Sequence, residues 1–124
     1  MMTFAPELRV TCLCAEWCTS CREYRSGFDG LAVGLPQVRF RWLDIEDEAE
    51  ALGDLDVENF PTLLIGRAGF VLFYGPMLPQ HKHLRRMIEQ LLPLSLDESR
   101  EHALSGEAHR AWQENADLRR LCGG

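Results

Sequence analysis

The sequence predicts an α/β domain built on a central mixed β-sheet flanked by helices, followed by a C-terminal helical extension. Three observations carry this. Apolar, strand-like runs alternate with segments of helical spacing; the last two runs, "PTLLIG" and "FVLFYG", are close enough to form a hairpin; and after Pro93 strand character disappears. Strands joined by helical crossovers run parallel and a hairpin adds an antiparallel pair, so the sheet is mixed.

"LRVTCLCA", Leu8 to Ala15, is β-rich with no charge after Arg9, as expected of a strand covered on both faces. The segment opened by "CTSC" has helical spacing, with Tyr24, Phe28 and Leu31 recurring at four and three, until "GLPQ" breaks it. "VRFRWLDI", Val38 to Ile45, reads as a second strand, and the acidic "EDEAEALGDL" as a short helix whose early acids suit a helix N-terminus. "RAG" joins the two hairpin runs, with Gly69 free to take the positive φ of a tight turn. From Leu78 to Leu92 the stripe Leu84, Met87, Ile88, Leu91 and Leu92 marks a helix that Pro93 ends.

Residues 1–93 therefore form the main domain, and 94–124 a charged two-helix appendage ending in a flexible "CGG" tail. Asp97 is the expected cap of the first short helix. Gly106 separates it from a second, in which Ala108, Ala111, Trp112, Leu118 and Leu121 lie roughly on one face. Trp112 is expected to dock the appendage on the domain or on a partner.

Composition narrows the chemistry. The formal net charge of −6, from 13 basic and 19 acidic residues, offers no basic field for phosphate, so nucleic acid is not an expected partner. No apolar run approaches the roughly 20 residues that span a bilayer, and "MMTFAPELRV" lacks the features of a secretory leader, so a cytoplasmic protein without membrane contact is expected. In the cytosol structural disulfides are rare, so the five cysteines point to catalytic, metal-binding or plain buried thiols.

Two of them stand in "AEWCTSC". A cysteine in the first helical turn meets unpaired backbone N–H groups and the positive end of the dipole, which favour its thiolate. With a helix starting near Cys18, Cys18 is that residue, and Cys21 lies on the same face, within disulfide reach but deeper. An exposed thiol that attacks a substrate disulfide and a buried thiol that resolves the mixed disulfide would divide the work this way.

The strand followed by "WCTSC", the "DIED" at the end of the next strand, and "FPT" before a hairpin together resemble the thioredoxin family, over about Leu8 to Leu92. The resemblance implies a thioredoxin-like fold and a protein-disulfide oxidoreductase that acts without a cofactor or metal on protein disulfides and is itself reduced by a disulfide reductase or another thiol donor. It implies Cys18 as nucleophile, Cys21 as resolving thiol, and Trp17 as a shield of the disulfide and one lip of a peptide groove. Pro61 matches the family's cis-proline, Phe60 packs opposite the active-site cysteines, and Gly75 falls on the groove's far side.

The chain departs from the family where protons are handled. Cys12 stands where the family keeps a buried aspartate that takes the resolving thiol's proton, and Trp42 where it keeps a lysine. Thr19 and Ser20 replace the usual Gly-Pro between the cysteines.

Cys12 and Cys14, two apart on a strand, point to one face, which the resemblance implies looks toward the active-site helix, and C-x-C-x3-C-x2-C could be imagined as a zinc or iron–sulfur site. A strand pair beneath a helix rarely converges tetrahedrally with that helix's first turn, so no metal is expected and Cys12 is the candidate for an auxiliary redox role, by exchange with Cys21. Cys122 is expected to be an unreactive surface thiol, and His81, His83, His102 and His109 solvated side chains. The alternative to an enzyme is a thioredoxin-fold binding module or redox sensor that holds a partner through the groove and the C-terminal helices.

Overall fold

Strand β1 (Leu8–Cys14) runs through the middle of a four-stranded sheet of order β2-β1-β3-β4 in the computed structural model, which describes residues 6–15 and 17–123. Met1–Ala5, on which the expected lack of a leader partly rests, Glu16, and the last residue of the tail lie outside the described residues. Strand β2 (Val38–Asp44) pairs parallel to β1, setting Cys14 opposite Asp44. Strand β3 (Thr62–Arg67) pairs antiparallel on the other side, and β4 (Phe70–Pro76) follows it as the hairpin. The mixed sheet expected from the order of elements is the sheet observed. Among the described residues no helix is long and apolar enough to cross a membrane.

Alternation along β1 sorts its side chains into two cores. Leu8, Val10, Cys12 and Cys14 join Leu63, Ile65, Tyr24 and Phe28 beneath helices α1 (Thr19–Gly34) and α3 (His81–Leu91). Leu13 points the other way, to Leu43, Leu64, Val71 and Leu52 of the one-turn helix α2 (Ala49–Leu52). With both faces covered, β1 carries no charge past Arg9.

The hairpin turn is two residues, Ala68 (φ 52°) and Gly69 (φ 84°), so an alanine shares the left-handed conformation expected of the glycine alone. That costs about 1 kcal/mol at a residue with a Cβ. The turn is pinned from outside: Gly69 N donates to Cys122 O at 2.9 Å.

The C-terminal region is three helices, α4 (Leu96–Ala103), α5 (Glu107–Glu114) and α6 (Ala116–Leu121), where two were expected. Asn115 causes the split, because its side chain accepts from Asp117 N and Leu118 N and starts a new helix. The cap of α4 is Ser95 rather than Asp97. Ser95 Oγ accepts from Glu98 N while the Glu98 carboxylate accepts from Ser95 N, so two backbone donors are satisfied by one Ser-x-x-Glu spacing. Trp112 packs edge-on against Phe73 of β4 at 6.0 Å, and Leu118, Leu121 and Cys122 complete the second core. The Gln113 amide accepts from Val71 N at 2.9 Å and donates to Val71 O at 2.7 Å, occupying backbone groups that an edge strand would leave open.

Two expectations fail in this region because tertiary packing reaches further than the charge pattern suggests. Cys122 is buried against β3, at a place where only Gly66 leaves room: any Cβ there would collide with the Cys122 side chain. Three histidines are packing groups: His81 lies over Tyr24 (4.6 Å between ring centroids), His109 stacks on Trp112 (4.8 Å), and His102 Nε2 lies 2.9 Å from Leu72 O.

Burial pushes the Cys122 thiol up from 9.0 to about 12. The folded state thus holds the proton more tightly than the unfolded one, and the associated stability is present below pH 9.0 and lost as pH rises towards 12. Urea unfolding under reducing conditions at several pH values in this window should show stability falling with pH. Cys122→Ala should remove up to about 1.4 kcal/mol per pH unit of that slope; an unchanged slope would contradict the burial.

Arg67, at the end of β3, is also buried. Its guanidinium donates to the carbonyls of Pro6 (2.9 Å), Leu91 (3.4 Å), Leu92 (3.1 Å) and Leu94 (2.7 Å) and to Ser99 Oγ (3.0 Å), clasping the end of α3 and joining it to α4.

Candidate active site

The candidate site lies where β1 delivers the chain into α1. Cys18 is the N-cap of α1, with extended backbone (φ −83°, ψ 119°), and its carbonyl accepts the first helical bond, from Arg22 N at 3.2 Å. Helical φ/ψ begins at Thr19, so Cys21 is the third residue of the helix. Cys18 is half-buried with a free thiol, whereas Cys21 is fully buried. The asymmetry expected of the pair, one outer and one inner thiol, is present in their burial.

Trp17 is 62% exposed and meets Phe60 edge-to-face, with ring centroids 5.6 Å apart. Its indole Nε1 donates to Glu46 Oε1 at 2.8 Å. Glu46 is in turn placed by Asp44, whose Oδ1 accepts from Glu46 N (2.9 Å) and Asp47 N (3.1 Å) in a tight turn after β2. Sequence reasoning noted this acidic stretch but did not give Glu46 a role; its signal was the position at the same end of parallel strands β1 and β2.

Phe60–Pro61 is a cis peptide bond, Pro61 is buried, and Pro61 O accepts from Met77 N at 3.1 Å. Cys18 and Phe60 both pack at the margin of the first core. Gly75 pairs with Leu63 across the hairpin and lines a neighbouring cavity of about 250 Å³ with Asn59, Thr62 and Tyr74. Trp17 and Phe60 are thus brought together, and Gly75 sits beyond them.

The inner cysteines differ most from expectation. Cys21 is bonded to Cys14, with 5.8 Å between their Cα atoms. Cys12, offered as the auxiliary partner of Cys21, is a free thiol 3.8 Å from Cys14 Sγ. Burial raises the Cys12 thiol far above its ordinary range, and the neighbouring Tyr24 hydroxyl, raised first by burial and then by Cys12, has no hydrogen-bond partner among the described residues. Cys12 therefore stays protonated at neutral pH. Among the described residues no group of three or more His, Cys, Asp or Glu side chains could hold a metal ion.

On the far side of Cys21 a cavity of about 260 Å³ is lined by Ala15, Arg22, Arg25, Trp42, Asp44 and Asp47. Trp42, at the position where the family keeps a lysine, carries the Arg25 guanidinium 5.1 Å from its ring centroid.

The sequence model of the family described as Thioredoxin matches residues 6–90. The chain belongs to the thioredoxin family. That family is one of thiol–disulfide oxidoreductases, and the matched stretch holds the four-stranded sheet, α1, nearly all of α3 and the cis Phe60–Pro61 bond. A curated relative, "Putative thioredoxin 2" of Streptomyces coelicolor, is 28% identical over 94 residues, which span 76% of this chain and 70% of that protein. Thioredoxin of Fasciola hepatica is a structural neighbour at TM-score 0.63 and 26% identity, covering 69% of this chain and 82% of that one. Thioredoxin f2 of Chlamydomonas reinhardtii shares the fold at TM-score 0.64 and 21% identity, covering 73% and 84%. Helices α4 to α6 lie beyond the family match.

Proposed function

We propose that this thioredoxin-family protein reduces or exchanges protein disulfides in the cytoplasm, with Cys18 as nucleophile and Cys21 as resolving thiol. The observation that carries this is the placement of Cys18: a free, half-exposed thiol at the start of α1, next to Trp17 of the Trp17–Phe60 pair and, like Phe60 of the cis Phe60–Pro61 bond, packed at the margin of the first core, with Cys21 buried one turn inward. An extended substrate lies against Trp17, Phe60, Pro61 and Gly75. Cys18 Sγ attacks the nearer substrate sulfur and expels the other as thiolate; Cys21 then attacks Cys18 Sγ and releases the second. Cys12 is too firmly protonated to serve as base, so the Cys21 proton leaves through the cavity lined by Asp44 and Asp47. A disulfide reductase or another thiol donor restores the dithiol. Helices α5 and α6 turn Trp112, Leu118 and Leu121 onto their own sheet, so a partner contact there would use their polar outer faces.

The test is reduction of insulin disulfides by dithiothreitol, started from fully reduced protein. The purified protein should accelerate precipitation of the insulin chains well above the reagent alone, and no acceleration would overturn the proposal. The Trp17–Glu46 hydrogen bond predicts a smaller effect. Losing it releases about 0.5–1.5 kcal/mol of positioning, so Glu46→Ala should raise KM for insulin about two- to tenfold with kcat nearly unchanged; an unaffected KM would remove Trp17 from substrate binding.

A further inference from the structure

We propose that Cys14 is a third redox cysteine, which takes Cys21 over from Cys18 so that the oxidised protein stores its disulfide inside the fold and regains a free Cys18. This rests on the reading of Cys18 and Cys21 as the reactive pair. Three observations converge on it. Cys21 is within disulfide distance of Cys14 and bonded to it, while Cys18 is free. Cys14 and Cys21 are both fully buried, on the last residue of β1 and in the first turn of α1, so the bond joins two rigid elements. Cys12, the other thiol on that face of β1, lies with its Sγ 3.8 Å from Cys14 Sγ and is disulfide-bonded to neither cysteine. Cys21 is thus placed between an outer partner, Cys18, and an inner one, Cys14.

The exchange balances without a further reagent. After Cys18 and Cys21 have reduced a substrate disulfide, Cys14 loses its proton and attacks Cys21 Sγ. The Cys14–Cys21 bond forms, the Cys18–Cys21 bond breaks, and Cys18 leaves as thiolate and takes up a proton in place of the one Cys14 lost. Over the whole sequence one substrate disulfide gains two electrons and two protons, and the Cys14 and Cys21 thiols lose them. The reverse attack, by Cys18 on Cys21, returns the bond to the surface, where an external thiol donor reduces it. In the stored state Cys18 can attack a second disulfide, but no resolving thiol is available. The protein then holds that substrate covalently, which is the behaviour of a sensor or a trap rather than of a rapid reductant.

The sequence offers a direct test, because Glu16 separates the two pairs of cysteines. Reduced protein is oxidised with one equivalent of diamide, quenched with N-ethylmaleimide, and cut with trypsin and glutamyl endopeptidase. Cleavage after Arg9, Glu16 and Arg22 places Cys12 and Cys14 in one peptide and Cys18 and Cys21 in another. The proposal expects these two peptides disulfide-linked, with maleimide on Cys12 and Cys18 by fragmentation. The link should persist in Cys12→Ser and vanish in Cys14→Ser, which should instead carry an internal Cys18–Cys21 bond. If Cys14→Ser does not fold, maleimide placement in the wild-type protein still decides which cysteine is bonded. Unlinked peptides with an internal Cys18–Cys21 bond in the wild-type protein would overturn the relay. If that protein also reduces insulin, the oxidoreductase reading stands without it.

Discussion

Cys18→Ser is expected to bring insulin reduction down to the rate of dithiothreitol alone. The attacking species in disulfide exchange is a thiolate, and a serine hydroxyl is neither ionised near neutral pH nor able to form the sulfur–sulfur bond that carries the electrons. The substitution removes one half-exposed sulfur from the margin of the core, so the fold should survive and circular dichroism should match the wild type. Cys21→Ser should fail differently. Cys18 still attacks, but release now depends on external thiol, so a mixed disulfide with insulin accumulates that dithiothreitol dissolves. Retained turnover in Cys18→Ser, or a trapped complex in that variant instead of in Cys21→Ser, would reverse the assignment of the two cysteines.

Arg67→Ala should give the largest loss of stability of any single substitution discussed, about 3–5 kcal/mol. The guanidinium is buried and binds five oxygens, all neutral, at the end of α3, the turn after it, α4 and the chain before β1. Carbonyls at a helix C-terminus carry the negative end of the dipole, so they hold a cation as well as a hydrogen-bond donor. Alanine would leave the carbonyls of Pro6, Leu92 and Leu94 and Ser99 Oγ without this partner, while Leu91 O keeps only its bond from Leu94 N. Arg67→Lys should recover only part of the loss, because one ammonium cannot span acceptors arranged around a planar fork. Urea unfolding of the reduced proteins measures both. A loss below about 1 kcal/mol for Arg67→Ala would mean that water takes over the vacated acceptors.

Much of the candidate site was legible because its signals are local. A strand, an N-cap cysteine and a following helix are neighbours in the chain, and the apolar run after Pro61 marks the hairpin that brings the proline back. Less legible were the residues whose partners are remote. Glu46 reaches Trp17 over 29 positions of sequence, and Arg67 reaches Leu92 over 25. The cap of α4 was within reach of a local rule, since Ser95 and Glu98 form the reciprocal pair, but Asp97 has the same intrinsic preference for a cap and only the geometry of the turn after Pro93 separates them.

By itself the sequence determined the order of elements as far as α3, that Cys12 and Cys14 share one face of β1, and the outer and inner positions of Cys18 and Cys21. These follow from periods of 2 and 3.6 residues and from helix breakers, which act over a few positions. The tertiary structure alone decided that Cys21 bonds to Cys14, that Cys122 is buried against Gly66, and that the C-terminal helices close the second face of the sheet. The physical reason is common to all three. Periodicity says which way a side chain points, but the contact it makes depends on how closely strand, helix and chain end approach, and that distance is set by the packing of the whole core.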